Sequence, residues 1–266
     1  MENFSILLEK SNIKLSKDNY IKFVDANVEA IRIDASVPIS RSTAVSLFCR
    51  VYAPAQKFGS RIRTAAGRAD TALLTELVSR GCDYNSADGN GHTPLHHACF
   101  YGQKEMIKCL HALQDKSDAG AKLVLDAKDN RGWTPLHVSA SNGYVEASKQ
   151  LLDIGAKIGT VNLEGRNCLH IAAGKGKDKI LGLILSAPGG KDLVNVQSHR
   201  GWTPLFDACI HQHEEVMKLL IKAGADVHVQ DMLGFTCKHY MSDESVWEKV
   251  NVIEVVVAAP TNSKRK

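Results

Sequence analysis

Long apolar runs are missing from this sequence. The most apolar stretch near its start, Phe4 to Leu8, spans five residues and follows no basic segment. A membrane-spanning helix needs about 20 apolar residues, and a secretory signal needs an apolar core of about 7 to 15 residues. We therefore expect a soluble protein that neither inserts into a membrane nor carries a secretion signal.

The sequence also lacks a dominant charge and paired cysteines. It has 33 Lys and Arg against 29 Asp and Glu, a net charge of +4, and the two signs are interspersed. This balance argues against nucleic acid or an anionic membrane as the main partner. The seven cysteines form no CxxC pair, and their number is odd. Reduced thiols in the cytoplasm are expected, and the basic tail Ser263 to Lys266 leaves the nucleus open.

What the chain does contain is an internal repeat. Five related segments begin at residues 91, 132, 165, 201 and 234, so the spacings are 41, 33, 36 and 33. The segments read GHTPLHHACFYG, GWTPLHVSASNG, GRNCLHIAAGKG, GWTPLFDACIHQ and GFTCKHYMSDES. An earlier unit around Ile62 has lost TPLH but keeps the rest of the pattern. A repeat near 33 residues is typical of a stacked repeat protein.

Each unit has the features of two helices joined by turns. In TPL, the Thr is suited to cap a helix and the Pro to occupy its first position. A pair of small residues follows one turn later, and a glycine such as Gly143 ends the helix. Segments such as ASKQLLDIG then place apolar residues at helical spacing before another glycine. Such a unit cannot bury its apolar faces alone, so the units must stack.

These residues resemble the ankyrin repeat, with its pattern G-x-T-P-L-H-x-A-A-x-x-G followed by L-L-x-x-G-A-D-V-N. The resemblance implies an all-α solenoid of helix-turn-helix units with β-hairpin fingers along one edge. It covers residues 57–257, as units at about 57–89, 90–130, 131–163, 164–199, 200–232 and 233–257. We expect residues 258–266 to form a basic, flexible tail. Residues 1–56 lie outside the resemblance. We expect them to form a helical cap on the first repeat, with a small separate module as the alternative.

Departures from the pattern concentrate in two units. Cys168 and Cys237 replace the proline, and Asn167 replaces the capping threonine but can still cap. Lys238 stands where the core leucine belongs, and a buried lysine would be costly. We therefore expect the last unit to be a degenerate cap with one face in water.

The recurring histidines His96, His137 and His170 are the most plausible catalytic residues, but no Ser or Asp keeps a fixed offset from them. Phe206 replaces the histidine in another unit, so the position does not require an imidazole. In ankyrin repeats this histidine links a turn to a helix. We predict no catalytic residue and no enzyme activity.

No metal or cofactor site is predicted. The sets His96, His97 and Cys99, and Cys209, His211 and His213, lack a common zinc-ligand spacing. The cysteines at 99 and 209 take the small packing position and are interpreted as core residues.

The resemblance implies that function lies at variable positions, which in this family line the concave face. Aromatic and arginine side chains are the usual anchors of protein interfaces, and they recur at these positions here. The predicted partner-binding residues are His92, Phe100, Tyr101, Arg131, Trp133, Asn142, Arg166, Arg200, Trp202, Ile210, His211 and Phe235. The alternative that each Trp only packs on the adjacent finger stays open.

The predicted function is therefore that of a non-catalytic protein-interaction module, a scaffold, adaptor or regulator, with no small-molecule substrate. Two alternatives remain: a substrate-recognition adaptor or regulatory subunit of a separate enzyme, and a nuclear regulator. One modification is also predicted. The segment from Leu77 to Asn85 resembles the sequence that asparaginyl hydroxylases accept in ankyrin proteins, with Asn85 as the target.

Overall fold

The computed structural model describes residues 55–79, 82–114, 122–243 and 245–249. The α-helices of this part of the chain come in pairs, with a short and a longer helix in each complete unit. In chain order they are α1 Ala55–Gly67, α2 Thr71–Ser79, α3 Pro94–Phe100, α4 Lys104–Leu113, α5 Pro135–Asn142, α6 Val145–Asp153, α7 Cys168–Gly174, α8 Asp178–Ser186, α9 Pro204–Ile210 and α10 Glu214–Lys222. Short 3-10 helices span Lys191–Leu193 and Cys237–Tyr240. The expected N-terminal cap and the basic tail lie outside the described residues.

The first helix of each unit begins where the TPL pattern predicts. Thr93, Thr134 and Asn167 are the N-cap residues of α3, α5 and α7, and each side chain accepts a hydrogen bond from the backbone N–H three residues later. The histidine at that later position accepts in return from the N-cap N–H. Two otherwise unpaired backbone donors are satisfied in each cap, which fixes the starting residue of the helix.

The helices form two layers. Helices α1, α3, α5, α7, α9 and the 3-10 helix Cys237–Tyr240 pack side by side, and α2, α4, α6, α8 and α10 form the second row behind them. Leu95, Leu136, Leu169 and Leu205, one from each of the second to fifth units, are buried between the rows. Because each unit buries its leucine against both neighbours, the layers form a continuous core. The predicted all-α solenoid is confirmed.

The fingers between units are turns held by a recurrent side chain. Asp88, Asp129, Asn162 and Asp231 each accept backbone N–H bonds from the residues two and four positions later. Neighbouring fingers are also joined by backbone hydrogen bonds from Asn130, Leu163, His199 and Met232 to the preceding finger. The β-structure among the described residues is one isolated bridge between Gln230 and Thr236. The fingers are therefore short hairpins closed by tight turns, as in the bond from the Asp129 N–H to the Trp133 carbonyl.

The last unit is short. Its first helix is reduced to the 3-10 turn Cys237–Tyr240, in which Lys238 is exposed and Cys237 is buried. Trp247, from the helical residues 245–249, packs on the core. Within the part of the chain that is described, no helix combines the length and the apolar character that a membrane crossing requires.

Candidate partner-binding groove

A groove of about 850 Å³ runs along the face formed by the fingers and the first helices of the second to fifth units. One end lies at His92, Phe100 and Tyr101, and the other lies at Asp207 and His211. The groove is continuous because the fingers and the first helices stack in register. The residues that line this cavity, from His92 to His211, are called the groove below.

The structure brings eight of the twelve predicted partner-binding residues together in the groove. They are His92, Phe100, Tyr101, Arg131, Trp133, Asn142, Arg166 and His211. Four are not among the lining residues: Arg200, Trp202, Ile210 and Phe235. The fifth unit contributes Asp207 and His211 to the groove lining, and the last unit contributes none of its described residues.

The two tryptophans of the repeated GWTPL segment therefore occupy different environments. Trp202 stacks on Phe206 with 6.5 Å between ring centroids, and Tyr240 meets it edge-on at 5.7 Å. Its indole N–H donates to Asp231 Oδ2 at 3.3 Å. These contacts tie the fifth unit to the last one. Trp202 therefore packs on neighbouring residues, as in the alternative interpretation of the recurring tryptophans.

Trp133 instead lines the groove, and its side chain is partly buried against the core. The Arg131 guanidinium lies 4.7 Å from the centroid of the indole ring, within cation–π distance. An arginine stacked on an indole presents a flat, partly apolar surface with fixed charge, which suits the binding of a partner side chain.

The recurring histidines link successive units. The Nε2–H groups of His96, His137 and His170 donate to the carbonyl oxygens of Trp133, Arg166 and Trp202 at 3.0, 3.3 and 2.9 Å. Burial lowers the pKa of His137 and of His170 to about 4, so both rings are neutral at pH 7. The predicted structural role of these histidines, linking turn to helix, is confirmed.

The hydrogen bond that a recurring histidine makes to the next unit is called a histidine bridge. The fifth unit has Phe206 at this position, so a His-to-Phe substitution in another unit removes its bridge. His137→Phe should lower the free energy of unfolding by about 2 kcal/mol, because it leaves the Arg166 carbonyl and the Thr134 hydroxyl without their partner. Urea denaturation followed by circular dichroism measures this. His111→Phe, at a half-buried position of α4 whose imidazole bonds only locally to Gln114, is the control. Equal stability of His137→Phe and the wild type would contradict a stabilising bridge.

Sequence reasoning missed Asp207, which follows Phe206 in the fifth unit. Its side chain is 3% exposed, and Oδ1 lies 3.3 Å from Arg166 Nη2. Its other oxygen, Oδ2, is buried and has no hydrogen-bond partner in the described part of the chain. Burial raises the pKa of this carboxyl to about 7, against the opposing attraction of Arg166. One feature of the sequence could have revealed this residue. Asp207 is acidic, whereas the second to fourth units have His97, Val138 and Ile171 at the equivalent helix position.

Arg166 is the charged centre of this end of the groove. Its Nε lies 3.4 Å from Glu164 Oε2, in addition to the contact with Asp207. The side chain is 25% exposed, so part of the guanidinium faces the groove. A ligand here meets one arginine flanked by two carboxyl groups, one of which is buried.

Asn85, the predicted modification site, connects the first two units. Its side-chain N–H donates to the Lys122 carbonyl at 2.9 Å, and its Oδ1 accepts from the Val124 N–H at 3.0 Å. Asn195 makes the equivalent pair of bonds to Gly224 and Asp226. The asparagine thus has a structural role in the stack, and its hydroxylation stays a prediction.

The fold and the groove define a helical repeat protein with an open groove along one face. The family model described as ankyrin repeats (3 copies) matches residues 62–162 and 149–231. The chain belongs to the ankyrin repeat family.

Among its relatives is the protein named probable 26S proteasome regulatory subunit p28 of Saccharomyces cerevisiae, 33% identical over 175 residues, which are 65% of this chain and 73% of the relative. The nuclear factor NF-kappa-B p105 subunit of Gallus gallus is 28% identical over 144 residues, 54% of this chain but 14% of the relative. The human ankyrin repeat and SOCS box protein 3 is 30% identical over 179 residues, 66% of this chain and 33% of the relative.

Proposed function

We propose that this chain is a non-catalytic module that holds a segment of a partner protein in the groove. The observation that carries the proposal is the exposed aromatic pair Phe100 and Tyr101 at the groove wall. Each side chain is 54% exposed, and their rings meet edge-to-face at 5.0 Å. Large apolar side chains grouped in a concave site, next to Trp133 and Arg131, are typical of the centre of a protein interface.

The charged end of the groove would set the orientation of the partner. Arg166 can donate to an acidic or carbonyl group of the partner, and Asp207 has an unused buried acceptor. Apolar contacts at one end and charge-assisted hydrogen bonds at the other fix the direction of a bound segment. The absence of catalysis is part of the proposal, since the buried ring nitrogens of His96, His137 and His170 are already used in structural hydrogen bonds.

A second candidate is narrower: a regulatory subunit of the 26S proteasome. It is favoured by the similarity to p28, because the aligned region covers most of that relative. The test is direct binding of the purified chain to purified 26S proteasome, measured by co-sedimentation. Failure to bind the proteasome, with binding to another partner retained, would reject this candidate and leave the general module intact.

Phe100→Ala combined with Tyr101→Ala should weaken partner binding about 30-fold or more, because truncating central aromatic anchors costs about 2 kcal/mol or more. Biolayer interferometry with a partner isolated by affinity purification and identified by mass spectrometry measures the affinity. The matched control is Met232→Ala with Leu233→Ala, which removes two apolar side chains that are 78% and 73% exposed but lie outside the groove. Similar losses in both double variants would reject the groove as the binding site.

The proposed location is the cytoplasm, with the nucleus as the alternative. Deletion of Ser263 to Lys266 in a fluorescent fusion should leave the distribution unchanged. A loss of nuclear signal on deletion would favour the nuclear alternative instead, because a short basic cluster can act as a nuclear address.

A further inference from the structure

Three potential metal ligands meet at the start of the second unit. Asp88 Oδ2 lies 3.7 Å from His92 Nδ1 and 3.5 Å from His97 Nε2. One ligand atom from each residue lies within 4.8 Å of the other two. Asp88 comes from the finger turn, His92 precedes the helix cap, and His97 is on α3. Bonds of about 2.0 to 2.2 Å to a tetrahedral zinc ion place its ligand atoms about 3.3 Å apart, so small side-chain shifts would complete the coordination.

The Asp88 carboxylate is already oriented for metal binding by backbone hydrogen bonds. Asp88 Oδ1 accepts from the backbone N–H groups of Asn90 and His92, both at 2.9 Å. Both of these bonds go to Oδ1, so Oδ2 is the oxygen that faces the two imidazoles. Because the finger turn itself fixes the side chain, little conformational entropy would be lost on metal binding.

His92 has the outer partner that metal-bound histidines commonly have. Its second ring nitrogen, Nε2, lies 3.4 Å from Asp129 Oδ2, and the Asp129 side chain is 1% exposed. A carboxylate at this nitrogen favours the tautomer in which Nε2 carries the proton and Nδ1 offers its lone pair. Asp129 is itself anchored by the N–H groups of Arg131 and Trp133.

His97 contributes a ring nitrogen that has no other use. Its Nε2 atom is buried and, among the described residues, has no hydrogen bond of good geometry beyond the 3.5 Å contact with Asp88 Oδ2. The ligand side chains are 21% to 30% exposed, so an ion could reach the cluster from the groove. Equivalent positions in the other units carry different residues: Trp133, Arg166, Trp202 and Phe235 replace His92. The repeat fold therefore does not require this combination.

We propose that Asp88, His92 and His97 form a zinc-binding site, with Asp129 orienting His92 and the fourth coordination position open toward the groove. One carboxylate oxygen and two imidazoles suit Zn²⁺ among the cellular divalent ions. The sequence argument against a metal concerned His97 together with His96 and Cys99. It did not include Asp88, which the finger turn brings to His97.

Isothermal titration of the full chain with ZnCl₂, with the thiols kept reduced, tests the site. We expect the wild type to bind zinc at this site and His97→Ala to bind it at least about 10-fold more weakly. Asp129→Asn should weaken binding by about 10- to 100-fold through the orientation of His92. His211→Ala, a groove histidine outside the cluster, should bind as the wild type does.

Asp88→Asn separates the metal site from the fold. Asn162 makes the same two backbone hydrogen bonds in the fourth unit's finger, so the variant should keep the turn while losing the carboxylate. Circular dichroism should be unchanged and zinc affinity lower. Wild-type affinity in both His97→Ala and Asp88→Asn would overturn the proposal. So would thiolate charge-transfer bands in the Co²⁺ complex, which would assign the metal to the cysteines.

Discussion

Asp207→Asn is expected to raise the free energy of unfolding by about 4 kcal/mol at pH 8 and to leave it nearly unchanged near pH 4. Burial raises the pKa of the Asp207 carboxyl from 3.8 to about 7 in the folded chain. Ionisation therefore favours the unfolded state, in which the carboxyl keeps its ordinary pKa. The penalty is absent below pH 3.8, grows as the pH rises toward 7 and is constant above it, at about 1.4 kcal/mol per unit of pKa shift.

Urea denaturation of the wild type and the variant at pH 5, 6, 7 and 8 measures this difference. The comparison of the two proteins at each pH removes the contributions of the other titrating groups. Asp178→Asn, at an exposed position in the first turn of α8, is the control for the loss of one negative charge. A variant that is less stable at pH 8 would show that the ion pair with Arg166 outweighs the burial of the carboxylate.

Gly132→Ala is expected to lower the free energy of unfolding by about 3 kcal/mol or more, while Gly234→Ala costs only about 1 kcal/mol. Both glycines occupy the same turn position, with φ of +76° and +82°. Both substitutions incur the left-handed backbone penalty of about 1 to 2 kcal/mol. At Gly132 a Cβ would also lie 2.7 Å from the Leu163 backbone nitrogen, whereas at Gly234 no atom of the described residues lies within 4 Å.

The difference between these variants isolates the packing of one finger on the next. Thermal and urea unfolding measure both, and the backbone penalty cancels because the φ angles agree. Gly201→Ala should resemble Gly132→Ala, since its Cβ would lie 3.0 Å from the Asp231 Cα. Equal losses at positions 132 and 234 would mean that the fingers separate at no cost. In that case their hydrogen bonds would contribute little to the stack.

The repeat unit could be predicted because its determinants are local. The cap of α5 requires Thr134, Pro135 and His137, all within four residues. The histidine bridges could be expected from the family pattern, but their effect on acidity could not, since the lowered pKa of His170 requires the burial supplied by the next unit. The finger hairpins could be expected from the family pattern, but the backbone hydrogen bonds that join one finger to the next could not, since they depend on how the units stack.

The candidate site was predicted only in part. Trp133 and Trp202 have the same flanking letters, yet one lines the groove and the other is packed against Tyr240. Asp207 escaped notice because its partner, Arg166, lies one unit away in the sequence. Asp88 was not recognised as a ligand. Its sequence position predicts that one carboxylate oxygen caps the turn, but it does not show where the second oxygen points.

The sequence by itself determined the family, the all-α class, the period of the units and the start of each first helix, because capping and turn chemistry act over a few residues. Only the tertiary structure decided which side chains share the groove, which carboxyl is buried beside Arg166, and which imidazoles face Asp88. Burial and the distances between units depend on how the units stack, and no single unit contains that information.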